Sequence, residues 1–416
     1  MREIRPLADH EFEAFVRLAV NAYPAYTIRT DEERQRMAGR LLEESRDPTQ
    51  IFYGLLEENV LLGGMKHLDF TMNLHGTQTL VAGIAEVAVD LLRKKEHVAR
   101  DLVLFFLEHA RANGAALALL YPFRPDFYKQ MGFGYGTKIN EYRVSPANFP
   151  KGPSKRQVVW TSPTDAALLL RCYQRYQART HGVIQRSEAE FTRLLAHPEK
   201  RVVAYRDAGA IKGYLVFSFR RHDQGNFLIN DLHVDELVYE TREALSQLLT
   251  FLQSQADQVR AVVIRTQEEA FHHLLLDPRN GSELLIPSVY HPSNVQGVGL
   301  MYRVLDTRGI FEQLREHSFG GVNCRVKITL VDSFFPSNAG SLVVQFAEGR
   351  PTLSEDERHD VEIRLEVAEF SSLLLGVVNF QSLYRYHLAD ISDPGYLETI
   401  NRLFYTPEKP ICLTAF

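Results

Sequence analysis

"GIAEVAVDLLRKKEHVARDLV", residues 83–103, decides how this chain is to be read. Its first half, through Val87-Ala88-Val89, is an apolar run of strand character. Its second half opens a helical pattern in which Val98, Leu102, Phe105, Phe106 and Ala110 recur at helical spacing. Between the two, Arg93-Lys94-Lys95 make a basic turn. A strand that runs through a basic turn directly into a helix sets free backbone N–H groups and the positive end of the helix dipole beside three cations, which favours phosphate. A solvated basic loop has the same composition, so by itself the stretch leaves both readings open.

Outward from that stretch, helical patterns run through "DHEFEAFVRLAVNAY" and "TDEERQRMAGRLLEE", then strand-like runs through "IFYGLLEE", "NVLLGGMKHLDFTMNL" and "QTLVAGIAEVAV". Downstream come a short buried strand "AALALLY", a short helix "RPDFYKQ", a returning strand "FGYGTKINEYRVS", and a linker at "NFPKGPSK". The same outline recurs from "TDAALLLRCYQRYQART" to "RAVVIRT", which predicts an internal duplication. From about Gly299 the text becomes a β-rich lobe followed by the helical stretches "EFSSLLLGVVNFQSLYRY" and "DPGYLETINRLFY". The fold class predicted is α/β (α+β): two mixed twisted sheets flanked by helices, then an α+β domain, with boundaries at 1–149, 150–290 and 291–416.

The 416 residues carry 47 basic and 52 acidic side chains, a net charge of −5. That balance predicts neither nucleic acid nor an anionic membrane as partner. The charged start, "MREIRPLADHEFEAF", and the lack of any long apolar run predict no signal peptide and no spanning helix. Cys172, Cys324 and Cys412 lie far apart with no CxxC spacing, so neither a metal site nor a disulfide framework is expected. The expectation is a soluble, cytoplasmic protein.

Strand, "V-x-V", basic turn, helix, strand and an "FY…GF" segment together resemble the acetyl-CoA-binding core of the GNAT N-acetyltransferases. The length, the duplication and the α+β tail resemble the Eis-type (enhanced intracellular survival) branch, in which a catalytic GNAT domain, a degenerate one and a sterol carrier protein-like domain follow one another. The resemblance implies an acetyl-CoA-dependent N-acetyltransferase acting on an aminoglycoside, polyamine or lysine-like amine, and a homohexamer. It places the pantetheine arm along Val87, Ala88 and Val89 and the diphosphate by Arg93, Lys94, Lys95, His97 and Val98. In the family pattern R/Q-x-x-G-x-G/A, Lys94 stands for Arg or Gln, His97 for the first Gly, and Ala99 fits the last position.

The resemblance also assigns Tyr128, in "FYKQMGF", as general acid to the leaving thiolate, and the C-terminal carboxylate of Phe416, at the end of the apolar tail "EKPICLTAF", as an aid to amine deprotonation. Glu86 stands at a strand position that borders the substrate in the family: facing that cavity its charge would favour a cationic acceptor, and facing outward it would be a solvated side chain. Tyr26, with Tyr23 and Pro24 in "NAYPAYTIR", is a candidate wall of the acceptor pocket. Glu96 and His97 support an alternative, a non-catalytic GNAT scaffold that binds a small apolar or lipid ligand. Met301 and Tyr302 would line a lipid tunnel in the third section, or fill its core.

Overall fold

A computed structural model describes residues 2–23, 25–222, 226, 228–287 and 289–416, so Pro24 lies outside the described residues. The chain begins with β1 (Arg2–Pro6), α1 (Phe12–Ala22), α2 (Asp31–Glu44), β2 (Gln50–Glu57), β3 (Val60–Leu74) and β4 (Thr77–Val89). It continues with α3 (Val98–Ala112), β5 (Leu117–Leu120), α4 (Pro125–Lys129) and the two-residue β6 (Gly134–Tyr135). α2 starts at a capping box in which the Thr30 hydroxyl accepts from the Glu33 N–H and the Glu33 carboxylate accepts from the Thr30 N–H. β1 carries no apolar alternation, and its strand state comes from antiparallel pairing with β2.

Apolar stripes of the helices cover both faces of this sheet. Leu102, Phe106 and Ala110 of α3 join Met65, Ala82 and Ile84 in one core. Phe12, Phe15 and Ala19 of α1 join Phe52 and Ala88 on the opposite face.

A second series follows: β7 (Ile139–Val144), β8 (Val158–Trp160), α5 (Ala166–Arg179), α6 (Glu188–Ala196), β9 (Arg201–Asp207) and β10 (Ala210–Arg221). β11 (Asn230–Tyr239), α7 (Arg242–Gln253), β12 (Ala261–Thr266) and β13 (Asn294–Gly297) complete it. The third consists of β14 (Met301–Val304), α8 (Thr307–Gln313), β15 (Cys324–Val331), β16 (Gly340–Ala347), β17 (Arg350–Ser354) and β18 (Val361–Glu366). It ends in α9 (Val367–Leu374), α10 (Phe380–Arg385), β19 (Ala389–Ile391) and α11 (Leu397–Leu403), around a sheet ordered β17-β16-β15-β18-β19.

The first sheet is ordered β1-β2-β3-β4-β5-β14-β6 and the second β13-β7-β12-β11-β10-β9-β8. Read from opposite ends the two orders coincide, each with one parallel pair, β4 with β5 and β11 with β12. The first sheet takes its sixth strand from the chain beyond its own run of elements, since β14 sits between β5 and β6, whereas β7 follows β6 directly in sequence yet pairs with β12 and β13. The run "FGYGTKINEYRVS", read as one strand, is therefore two strands in two sheets. Asn140, Tyr142 and Val144 supply the buried alternation that the second sheet requires, whereas β6 is hemmed in by glycines.

By compactness, residues 1–136, 300–409 and 415–416 form one unit, and residues 137–299 and 410–414 another. Residues 137–149 thus fold with the second unit, not with the first domain as the linker reading placed them. Met301 and Tyr302 are core residues of β14 with no exposed surface. "EFSSLLLGVVNFQSLYRY" is two helices, α9 and α10, separated around Gly376. Among the described residues no helix is long and apolar enough to cross a membrane.

β6 packs so closely on α9 that a Cβ on Gly134 would lie 2.0 Å from the backbone carbonyl oxygen of Ala368. A backbone atom cannot step aside as a side chain can. Gly134→Ala is expected to lower stability by about 1–3 kcal/mol, read as a lower urea midpoint at unchanged slope. An unchanged midpoint would show that α9 is free to shift.

Candidate active site

β4 and β5 pair only from Val81 to Gly83 against Leu117 to Leu119, and beyond that β4 runs on to Val89 paired with β3 but not with β5. Beyond the end of that pairing β4 carries a β-bulge against β3, where Gly64 faces Ala88 but Lys66 faces Ala85, leaving an extra residue on β4. Glu86 sits in the bulge with φ +51°, a left-handed conformation unusual for a residue with a Cβ. Such a bulge sharpens the local twist and turns the strand away from its neighbour.

A cleft of about 760 Å³ occupies the opening. It is lined by Val87, Val89, Arg93, Lys94, Lys95, His97 and Val98 on one side and by α4, with Tyr128, on the other. All but one of the expected cofactor-contacting residues therefore meet in one cavity with the expected acid. Ala88 has its side chain on the far face, in the core with Phe15 and Phe52.

The turn keeps its backbone shape without glycine. Lys95 has φ +69° and His97, the residue before α3, has φ +64°. His97 makes no side-chain hydrogen bond to the helix, so the first N–H groups of α3 have no side-chain cap. Glu96 does not line the cleft: its carboxylate lies 3.4 Å from Arg2 and 3.5 Å from Arg93, and its carbonyl accepts from Arg2. Arg100 and Arg124 add two cations to the lining.

The second fold differs at the corresponding place. β11 passes into α7 through Glu240 and Thr241 alone, the Thr241 hydroxyl caps the Ala244 N–H, and Glu240 pairs with Arg175. Residues 410–414 are embedded in this fold: Ile411 donates to the His181 carbonyl, Cys412 donates to Gln267, and Arg186 donates to the Leu413 carbonyl.

Burial alone pushes the Tyr128 hydroxyl up to about 12. Tyr23, which had only been grouped with the loop, proves central: its hydroxyl donates to the Val87 carbonyl at 2.9 Å and its ring packs edge-on against Tyr26, centroids 5.9 Å apart. Burial, then the neighbouring Tyr128, Tyr26 and Glu86, push the Tyr23 hydroxyl well up. Tyr23 thus joins the cleft to a second cluster, Glu86 with Tyr26, Lys66, Arg40 and Glu44.

In that cluster burial raises the Glu86 carboxyl above its ordinary range, opposed by Lys66, and Lys66 is itself paired with Glu44 at 2.7 Å. The Glu86 Oε2 is buried and has no hydrogen-bond partner among the described residues. Glu86 and Tyr26 do not line the cleft itself.

Phe416 folds with the first unit, its ring 5.1 Å from Phe70 and 5.2 Å from Tyr121 and in contact range of Gly83 on β4. Phe334 also lines the cleft, with the Arg100 guanidinium 5.9 Å above its ring. It comes from "DSFFPSN" in the third section, and no local pattern marks it out. Among the described residues no group of His, Cys, Asp and Glu has a metal-holding arrangement.

Residues 3–136 match an acetyltransferase (GNAT) domain model, residues 182–304 match a second one, and residues 304–413 match a sterol carrier protein domain. The chain resembles a GCN5-related N-acetyltransferase from Anabaena variabilis over 100% of both chains, with TM-score 0.81 and 16% identity. A GCN5-related N-acetyltransferase from Kribbella flavida is similar over 100% of this chain and 98% of that one (TM-score 0.79, 19% identity). Eis1 from Mycobacterium abscessus is similar over 100% of both (TM-score 0.77, 19% identity). At these identities the likeness is one of fold. No curated protein matches the chain by sequence.

The raised Glu86 carboxyl has a thermodynamic consequence. Its contribution to stability is present below the unfolded carboxylate pKa and is lost as pH rises through the higher folded value, where a desolvated charge must form. Glu86→Gln is expected to raise the Tm at neutral pH, with the gain closing as the pH falls below the carboxylate range. An equal or lower Tm at neutral pH would show the charge to be compensated in place.

Proposed function

The chain belongs to the GNAT acetyltransferases, in the Eis-type arrangement of two such domains and a sterol carrier protein domain, and from that premise we propose that its first domain moves an acetyl group from acetyl-CoA directly to a primary amine. The observation that carries this reading is the single cleft that holds the basic turn, the open start of α3, the bare edge of β4 and Tyr128. Acetyl-CoA would supply an activated acyl thioester. The backbone of Val87 and Val89 is suited to the pantetheine arm, and the N–H groups of Val98 to Arg100 with Arg93, Lys94 and Lys95 to the diphosphate. His97 keeps the left-handed conformation that glycine would supply, and Glu96 is paired with Arg2 and Arg93 outside the lining, which supports the cofactor reading.

Tyr128 donates its proton to the leaving sulfur. Its raised pKa keeps it protonated at working pH, but transfer to a free thiolate of ordinary basicity would be uphill. The desolvation that raises the phenol raises a thiol as well. In a dry cleft donor and acceptor come closer to matched. Glu86, with an unpartnered buried oxygen, favours a cationic acceptor of the aminoglycoside, polyamine or lysine type, walled by Tyr26. The terminal carboxylate of Phe416 assists amine deprotonation. The family resemblance implies a homohexameric assembly.

Calorimetric titration with acetyl-CoA is expected to give micromolar binding, unchanged in Tyr128→Phe, while kcat in that variant falls roughly 10²-fold. Wild-type turnover in Tyr128→Phe would remove it as acid, and an absence of cofactor binding would overturn the reading as a whole. Deletion of Phe416 is expected to lower kcat at least tenfold, roughly the loss of one positioned catalytic group, while the Tm holds within a few degrees. Full activity after the deletion would remove the terminal carboxylate from the reaction.

A further inference from the structure

Arg303, on β14, is the largest fully buried side chain among the described residues and takes no part in the reaction as described. Its Nη2 lies 2.6 Å from Asp332 Oδ2, with both side chains essentially inaccessible. Its Nη1 donates to the Met131 carbonyl at 2.6 Å. Met131 belongs to the turn that closes α4: the N–H groups of Met131 and Phe133 both donate to the Tyr128 carbonyl, at 3.0 and 3.1 Å.

The turn is shaped around the guanidinium. Gly132 has φ +81°, and a Cβ there would lie 1.5 Å from Arg303 Nη1. Asp332 is held in its turn: its Oδ1 accepts from the Phe335 N–H at 2.8 Å. The Asn338 amide donates to the Val304 carbonyl at 3.0 Å and approaches Asp332 Oδ2 at 3.5 Å. The segment so fixed carries Phe334 into the cleft, where Met131 also lies.

A buried ion pair is a poor way to gain stability, since desolvating two charges offsets most of their attraction and an apolar pair of equal volume does as well. What a guanidinium adds is direction: two N–H groups in a rigid fork, one fixed on Asp332 and one on the carbonyl of Met131, three residues after Tyr128 in the turn that closes α4. We propose that Arg303, oriented by Asp332, is a positioning residue that sets where the Tyr128 hydroxyl stands in the cleft. The third section thereby acts on the chemistry of the first domain through a strand and a loop. This role rests on the reading of Tyr128 as the acid.

The test is a double-mutant cycle with acetyl-CoA and an accepted amine. Arg303→Lys keeps the charge beside Asp332 but has no second arm for Met131. It is expected to lower kcat at least tenfold, roughly what a misplaced catalytic group costs, with the acetyl-CoA KM held within about threefold. In a Tyr128→Phe background the same change is expected to alter kcat less than about twofold, because the two act as one unit. Asp332→Asn is expected to follow the same pattern.

Losses that multiply across the cycle, or a change confined to KM, would overturn the proposal while leaving Tyr128 as acid. Wild-type turnover in Tyr128→Phe alone would remove the acid and this role together. Failure of both Arg303→Lys and Asp332→Asn to fold would mark the pair as a structural clamp and would likewise overturn it.

Discussion

A charge with no route to water sits in the seam of the first sheet, and much of the first unit is arranged to answer it. Arg303 arrives on β14, a strand that the chain supplies only after the whole second series of elements has been laid down. Once buried, the guanidinium requires partners, because leaving one side of such a pair unmatched costs several kcal/mol, about 3–5 in measured cases. Asp332, the Met131 carbonyl and the face of the Phe335 ring, 5.9 Å away, meet two of its arms, while its buried Nε has no hydrogen-bond partner among the described residues. The left-handed Gly132, the turn behind Tyr128 and the loop that carries Phe334 are all shaped by those contacts.

The cleft shows a second constraint, the use of left-handed backbone by residues that carry side chains. Glu86 at the bulge and Lys95 and His97 in the basic turn adopt positive φ at some energetic cost. The bulge lies where β4 has already parted from β5, and it turns a carboxylate into a buried cluster. The turn keeps backbone N–H groups of α3 free while gathering cations. In the second fold the matching turn is shorter, acidic and capped by its own threonine. One architecture used twice thus carries the glycine-free basic turn and side-chain-uncapped helix start only once.

Part of this was legible from local pattern. The helical stripe of α3, the apolar strands β2 to β4, the repeated order of elements and the Arg93-Lys94-Lys95 turn follow from spacing and residue type. They come out as read because each depends on neighbours within a few residues. Tyr128 and Val87 fall in the same cleft for the same reason, as strand, turn and short helix are consecutive pieces of one unit. β1 escaped because "REIRP" has no alternation and is a strand only through its pairing with β2. The strand through 133–145 was misjoined because nothing local says that a chain leaving β6 crosses to another sheet.

The sequence by itself determined the element types, the duplication and the chemical character of the candidate site, since helical and strand periodicity, turn residues and charge clusters act over short stretches of chain. Only the tertiary structure decided which strand completes which sheet, that Tyr23 caps the Val87 carbonyl, that Phe334 walls the cleft, that Phe416 rests on β4, and that Arg303 grips the Met131 carbonyl. Each of these joins residues tens to hundreds of positions apart. Their partners are chosen by packing and by the need to satisfy buried polar groups, and neither leaves a mark in local pattern.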